Sequence, residues 1–406
     1  MRILHVVPYF APAFAYGGPP TSVSQLCRAL VGRRHEVTVL TTDALTSTTR
    51  QRERHITDGL DIHYLRNLSN YLAWNHQLFL PIGTRRFLRK KMKDFDVVHV
   101  HMYRTYQNVL VHGAHSACRT PYVFSAHGSL PRIVRKQLAK SVFDSLYGNR
   151  FLKDAAKVVA LTNAEQRQYE MFGVPSEKIT IIPNGIDLDD FRFLPSAHAF
   201  IRRYNLQDKK IVTYVGRLNK RKGLDTLVRS FKSLSSHLNN VALLLIGPDE
   251  GYGETLRKLV KEVEPHGPVV MTGLITMPEK LEAYSASDVV VYPGAYEIFG
   301  LVPFEALMCG KPVVVSDDSG CGELIASAQA GFVVPYGDSE NMETAILRAI
   351  EGGEEVRRMV ERGQHFVRTA LDWNRIAAST EIAYRDVCAE ARGGSNRKGS
   401  GRETAS

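Results

Sequence analysis

Residues 296–315 read YEIFGLVPFEALMCGKPVVV, and the meaning of the rest of the chain follows from this stretch. Glu297 stands before a tight Phe299-Gly300 turn, and Glu305 follows inside a short helix that Gly310 ends and Pro312 follows. Pro303 suits the first helical turn, because the N–H it lacks is one the helix leaves unpaired anyway. The amides around Gly300 and Leu301, with the positive end of the helix dipole, make a seat for phosphate or sugar oxygens. Gly300 has no side chain, so a ligand can come close. The closing run, Pro312–Val315, reads as a buried strand.

Outward from this stretch the same plan repeats. Strands are expected at Lys210–Val215, Val241–Ile246, Val269–Met271, Val289–Tyr292 and Phe332–Val334, with an amphipathic helix from Leu224 to Leu234. Arg2–Pro8, Glu36–Thr41, Asp96–His101, Tyr122–Ala126, Lys157–Leu161 and the segment from Ile179 read likewise, separated by helix-length segments. That alternation predicts parallel sheets covered on both faces. At 406 residues the chain is expected to make two such domains, since single cores stop growing near about 250–300 residues. Pro183-Asn184-Gly185 is a breaker cluster that marks the link between them. Two similar α/β layers joined by a hinge make a cleft.

Composition excludes several classes. At 44% hydrophobic and 23% charged the chain has the make-up of a globular protein. It shows no apolar run of about 18 residues and no signal-peptide pattern, so a cytoplasmic location is expected. Cys27, Cys118, Cys309, Cys321 and Cys388 lack Cys-x-x-Cys spacing, which speaks against a disulfide framework or a zinc site. Charge is unevenly placed: residues 1–195 carry a net +11 and residues 196–390 a net −4. A basic first half calls for an anionic partner. Interleaved aromatics and nucleic-acid motifs are missing, so nucleic acid is not expected. Between Leu78 and Lys93 the chain reads LFLPIGTRRFLRKKMK, with further basic residues at Arg132, Arg135, Lys136 and Lys140. Basic-apolar mixing of this kind suits an anionic membrane surface and a lipid-linked acceptor held there.

Taken as a string, Glu-x-Phe-Gly, then Pro-Phe-Glu-Ala-Leu and Cys-Gly-Lys-Pro-Val-Val, closely resembles the signature of retaining GT-B glycosyltransferases of glycosyltransferase family 4, the group 1 family. Gly216-Arg217-Leu218, followed three residues on by Lys222-Gly223, looks like that family's diphosphate clamp and leaves Lys220 and Arg221 unassigned. A Gly17-Gly18 loop, a Ser125-Ala126-His127-Gly128 segment and a Pro183–Asp187 hinge are similar to the family's too. One departure stands out: where the family commonly shows Gly-Gly-x-x-Glu, this chain has Ser319-Gly320-Cys321-Gly322-Glu323. Contacts by the Ser319–Gly320 backbone are therefore given little weight.

The resemblance implies an α/β GT-B fold of two Rossmann-like parallel-sheet domains facing a central cleft. Residues 1–190 would receive the acceptor, residues 191–373 would bind the nucleotide sugar, and residues 374–390 would form a helix returning to the first domain. Residues 391–406 are Gly/Ser-rich and basic without apolar anchors, and are expected to be a disordered tail. The implied reaction is retaining transfer of a hexosyl group from a nucleotide diphosphate sugar to a glycan or lipid-linked acceptor, in cell-surface polysaccharide or glycoconjugate synthesis. Implied as catalytic are Glu297, which holds donor-sugar hydroxyls, His127, which approaches the sugar, and the diphosphate cations Arg217 and Lys222. Gly17, Gly18, Phe299, Gly300, Leu301 and the ribose ligand Glu305 complete the donor site. Neither a metal nor another cofactor is expected, because cations and amides already face the leaving diphosphate; Asp187, Asp189 and Asp190 read as a solvated acidic hinge. His99 and His101 lie within a strand and read as core residues. A nonhydrolysing nucleotide-sugar epimerase and an inactive nucleotide-sugar-binding module remain as alternatives.

Overall fold

The structure is a computed structural model that describes residues 1–51, 55–132, 137–263 and 267–399. The chain divides into two compact units, one of Met1–Gly185 with the segment from Trp373 onward, the other of Ile186–Asp372.

The sheet of the first unit holds β1 (Arg2–Val6), β2 (Glu36–Thr42), β3 (His55–Thr57), β4 (Leu60–Leu65), β5 (Val97–His101), β6 (Tyr122–Ser125), β7 (Lys157–Ala160) and β8 (Ile179–Ile181). Their order is β3-β4-β2-β1-β5-β6-β7-β8, and every neighbouring pair is parallel apart from β3 with β4. Successive strand residues point to opposite faces. Leu4, Val6, Val98 and Val100 therefore enter one core, while Ile3, Val37, Val39 and Val97 enter another. Both faces are covered, which is why these strands are continuous apolar runs. The helix Trp373–Gly399 lays Ile376, Ala377, Ala383, Tyr384 and Val387 on the second face. Its Trp373 ring lies so close over Gly185 that a Cβ there would sit 2.4 Å away. The strands β3 and β4 escape the sequence reading because LDIHYL alternates: Leu60 and Ile62 are buried, Asp61 and His63 only half so.

The second unit holds β9 (Lys210–Val215), β10 (Val241–Ile246), β11 (Val269–Gly273), β12 (Val289–Tyr292), β13 (Val313–Ser316) and β14 (Phe332–Val334). The order is β11-β10-β9-β12-β13-β14, parallel throughout. Helix Leu224–His237 buries Leu224, Leu227, Val228, Phe231 and Leu234, a 3.6-residue stripe, against Val212, Leu243 and Val289. The division between units falls at Gly185, ahead of the acidic run. Ile186 belongs to the second unit because its amide bonds the Leu371 carbonyl at 2.7 Å and it pairs with Asp372. At the other end, the C-terminal helix runs on to Gly399, beyond residue 390 where the sequence reading stops it. Residues 400–406 of the expected tail lie outside the described residues.

Each sheet has one place where the strand order reverses, and open α/β sheets bind ligands at the carboxyl ends of the strands there. In the first unit it lies between β1 and β5, in the second between β9 and β12. The loop after β1 carries Gly17-Gly18. The loops after β9 and β12 carry Arg217, Lys222, Glu297 and Gly300.

Candidate functional site

In the second unit, the turn after β9 is built to deliver one lysine inward. Asn219 caps the short turn Lys220–Lys222, its side chain accepting the Arg221 amide at 3.0 Å. Gly223 follows with φ of 64°, and a Cβ there would lie 2.1 Å from the Pro293 carbonyl, so only glycine fits. Lys220 and Arg221 stay exposed, while Lys222 is 8% exposed. Its Nζ donates to Glu297 Oε1 at 2.6 Å and lies 3.5 Å from the Tyr292 hydroxyl; that hydroxyl donates to Glu297 Oε2 at 2.7 Å. Burial alone would raise the Glu297 carboxyl, but the Lys222 charge and the hydrogen bonds from Lys222 and Tyr292 outweigh it and hold the group below its ordinary range.

Glu297 is fixed through its backbone as well. Its carbonyl accepts the amides of Gly320 at 2.9 Å and Cys321 at 3.4 Å. These amides open the helix Gly320–Ser327, whose cap is the Ser319 hydroxyl accepting Gly322 N–H at 2.8 Å. The serine that departs from the family pattern thus serves as a helix cap. Gly300 caps Leu301–Met308 with φ of 70°, and a Cβ on it would meet the Tyr292 ring at 2.8 Å.

Other site residues identified in the sequence have partners of their own. The Arg217 guanidinium is paired with the carboxylate of Glu250, which also accepts from Asn219 at 2.7 Å. Glu305 is buried and accepts from Lys280 at 2.9 Å and from Tyr284 at 2.7 Å. Phe299 is a core residue, its ring 5.2 Å from that of Phe304, so only its backbone is available to a ligand. Tyr292, Tyr284, Lys280 and Glu250 carry no motif signal and were not legible. Asp187 accepts the Asp189 amide at 3.2 Å and Asp189 pairs with Arg192 at 2.9 Å.

The first unit holds Gly17, Gly18 and His127. Gly17 has φ of 105° and precedes helix Gly18–Gly32, whose first turn takes Pro19 and Pro20; a Cβ on Gly18 would meet nothing within 4 Å. His127 is half-buried in the loop after β6, with φ of 50°. Two residues of helix Asn163–Met171 grip that loop: the Tyr169 hydroxyl accepts Ala126 N–H at 2.8 Å, and Glu165 accepts Gly128 N–H at 2.6 Å. Glu165 also takes Leu161 N–H at 2.8 Å.

Behind His127 runs a row of buried imidazoles. His127 Nε2 lies 3.0 Å from His101 Nδ1, and His101 Nε2 lies 2.9 Å from His5 Nδ1. His99 bonds Tyr384 at 2.6 Å and Ser125 at 2.7 Å. Among the described residues, His5, His99 and His101 are the group whose nitrogens lie close enough together to hold a metal ion. Beside the row is a cavity of about 20 Å³, room for one water, lined by His99, His101, Ser125 and Thr380 among others.

Burial pushes His5 down to about 3 and His127 to about 4, and His99 and His101 well below the usual range. It pushes Glu165 up to about 7. The two effects oppose each other. A histidine that is neutral when folded but titrates near 6.5 when unfolded contributes stability above about pH 6.5 that is lost as pH falls. Glu165 contributes stability below its unfolded value, lost as pH rises through about 7. Each group is worth at most about 1.4 kcal/mol per pH unit, so four imidazoles outweigh one carboxyl. The urea midpoint is expected to fall between pH 7 and pH 5; a level or rising midpoint would contradict the buried row.

Residues 198–366 match the family model described as glycosyl transferases group 1, and residues 16–190 the one described as glycosyltransferase family 4. A glycosyltransferase of Methanocaldococcus jannaschii, described as uncharacterized, is 26% identical over 400 residues, or 95% of this chain and 98% of that one. The phosphatidyl-myo-inositol mannosyltransferase of Mycolicibacterium smegmatis is 27% identical over 394 residues, 95% of this chain and 94% of that one. HepE of Anabaena, crystallised with UDP and glucose, has the same fold, with a TM-score of 0.74 at 19% identity over 95% of this chain and 100% of that one.

Proposed function

The chain belongs to the group 1, family 4 glycosyltransferases of GT-B fold, which retain the anomeric configuration of the sugar they move, and on that premise we propose that it transfers a hexosyl group from a nucleotide diphosphate sugar to a glycan or lipid-linked acceptor. The observation that carries this reading is the Lys222–Glu297–Tyr292 knot beside Gly300, at the strand reversal of the second unit.

The donor diphosphate lies against Lys222, Arg217 and the helix-terminal amides after Gly300. Lys222 gives one of its three hydrogens to Glu297 and has others for phosphate oxygens. Glu297, held ionised, accepts from the donor-sugar hydroxyls. Glu305 accepts from the ribose on lone pairs that Lys280 and Tyr284 leave free. To His127, Gly17 and Gly18 in the first unit the reading gives contacts with the donor. As the anomeric bond breaks toward an oxocarbenium-like transition state, negative charge builds on the diphosphate, and fixed donors stabilise it.

Thermal-shift titration with UDP-, GDP- and ADP-sugars tests this. At 100 times Kd a ligand stabilises the folded state by about 2.7 kcal/mol, so one donor is expected to raise the melting midpoint clearly, and silence across the panel would defeat the reading. Turnover of the donor without any acceptor would identify the epimerase, and binding without turnover the inactive module. Transfer is expected to persist in EDTA; loss restored by magnesium or manganese would make Asp187 and Asp189 ligands instead.

The acceptor is proposed to be lipid-linked and met at the inner face of the cell membrane, where the protein binds peripherally. Among the described residues no helix is long and apolar enough to cross a membrane. Helix Thr84–Lys91 buries Leu88 and exposes Arg85, Arg86, Arg89, Lys90 and Lys91, none of which pairs with a carboxylate among the described residues. It follows a segment closed by Asn67 against Pro81, on which Leu68, Tyr71, Trp74 and Leu78 are exposed, and Ile82 just beyond it is exposed as well. Of the other basic residues, Arg132 is tied to buried Asp144 at 2.8 Å, and Arg135 and Lys136 lie outside the described residues. The mannosyltransferase relative, named for phosphatidyl-myo-inositol, supports a lipid acceptor. Each cation near an anionic surface contributes about 1 kcal/mol. Co-sedimentation with anionic vesicles at low salt is expected and should be lost when Arg85, Arg86, Lys90 and Lys91 become Glu; equal pelleting with neutral vesicles would refute it.

A further inference from the structure

We propose that His5 and His101 are positioning residues for His127, and that they fix it as the tautomer carrying its hydrogen on Nδ1. His127 then offers the substrate an N–H donor. The inference rests on the assignment of His127 to the donor site, and it concerns how that side chain is prepared.

Three imidazoles stand in series, joined by His5 Nδ1 to His101 Nε2 at 2.9 Å and His101 Nδ1 to His127 Nε2 at 3.0 Å. A neutral imidazole has one N–H and one lone pair, so each link takes one hydrogen and all the hydrogens must point the same way along the row. Two states are possible. If they point inward from His127, the row ends in an N–H at His5 Nε2. That atom is fully buried, in a residue 0% exposed, and has no hydrogen-bond partner among the described residues. If they point outward, the same atom is an empty lone pair. Among backbone groups a buried N–H left without an acceptor is rarer than a carbonyl with an unfilled lone pair, and by extending that preference to the imidazole we assign the outward state. His127 Nε2 then accepts from His101, and its own hydrogen resides on Nδ1, which makes no hydrogen bond among the described residues.

The rest of the surroundings keeps the row intact. Burial holds all three rings neutral, so no link is broken by a second hydrogen. His99 takes no part, since both its nitrogens are engaged by Tyr384 and Ser125. The His127 backbone is held independently, through Gly128 on Glu165 and Ala126 on Tyr169. A histidine prepared in this way cannot serve as a base at Nε2, whose lone pair is occupied. It donates from Nδ1 to a sugar or phosphate oxygen.

Long-range proton–nitrogen correlation spectra of the nitrogen-15-labelled protein at pH 7 read the tautomer directly, with His127 assigned from a His127→Gln sample. Wild type is expected to show His127 protonated on Nδ1 alone; protonation on Nε2 would overturn the proposal whether or not any variant folds. His5→Leu is expected to give a mixture of tautomers and a kcat lower by roughly ten- to a hundredfold at little-changed donor KM, the range seen when the partner that orients a metal-binding histidine is removed. His5→Asn, whose amide N–H takes the place of Nδ1–H, should restore both. An unmixed spectrum in His5→Leu, or Asn and Leu variants equally impaired, would overturn it, as would a stoichiometric metal in the purified protein. Full transfer by His127→Ala would sink the donor-site assignment of His127, while the spectra judge the row on their own.

Discussion

Lys222→Met is expected to lower transfer on the order of 100- to 1,000-fold, mostly in kcat, the usual loss when a fixed donor to developing negative charge is removed. Methionine follows the lysine side chain as far as Cε, with sulfur in place of Cδ, and lacks the ammonium. That ammonium lies in a nearly closed setting, 2.6 Å from Glu297, where water screens it little. Its loss is felt twice. The departing diphosphate loses its buried cation, and Glu297 loses the charge that offsets its own burial, so that its carboxyl moves up toward protonation and ceases to be an anionic acceptor. Arg217→Met is the internal comparison. Arg217 is more exposed and already paired with Glu250, so the same loss of charge there should cost less. Steady-state kinetics with saturating donor decide the matter. A Lys222→Met enzyme within threefold of wild type, or one less impaired than Arg217→Met, would remove Lys222 from the diphosphate site.

The fold was largely legible because buried parallel strands announce themselves as apolar runs. VVHVH, VALLLI and VVVY all became strands where the sequence placed them. LDIHYL does not announce itself, because a strand near the sheet edge, burying only alternate residues, carries half the signal. Of the candidate site, the residues on tight turns were legible, since Gly223 and Gly300 stand where backbone or a ring would strike any side chain. What could not be read was pairing across distance. Nothing in the sequence marks Tyr292 as the third member of the Lys222–Glu297 knot, or Lys280 and Tyr284 as partners of Glu305. The histidines show the same limit from the other side. In the sequence His99 and His101 read as core residues, and they are buried; that His101 bridges His5 to His127 depends on the β1–β5 pairing, which places His5 beside His99. Phe299 reads as a donor contact from its place in a motif, although an aromatic beside a helix start more simply fills the core, as it does against Phe304.

Glu297→Gln is expected to keep the fold and lose most of the transfer activity, with loss of at least about a hundredfold as for other fixed groups in such sites. The fold survives because the backbone of this residue is held by the Gly320 and Cys321 amides, which the substitution leaves alone. The side chain fares differently. Lys222 and Tyr292 both donate to the carboxylate, one to each oxygen. An amide has a single oxygen, so one of those donors must face the new NH₂ group, and the sugar hydroxyls lose an anionic acceptor. The Lys222 charge is left without its counter-charge, which destabilises the unliganded protein, since breaking a buried pair from one side commonly costs about 3–5 kcal/mol. A nucleoside diphosphate supplies the missing negative charge. Its binding should therefore be kept or tightened in the variant, and the melting midpoint should rise on adding it by more than in wild type. Falling kcat with undiminished diphosphate affinity separates a lost sugar contact from a collapsed site. Transfer within twofold of wild type would end the assignment of Glu297, and loss of diphosphate binding together with activity would show that the carboxylate only holds Lys222 in place.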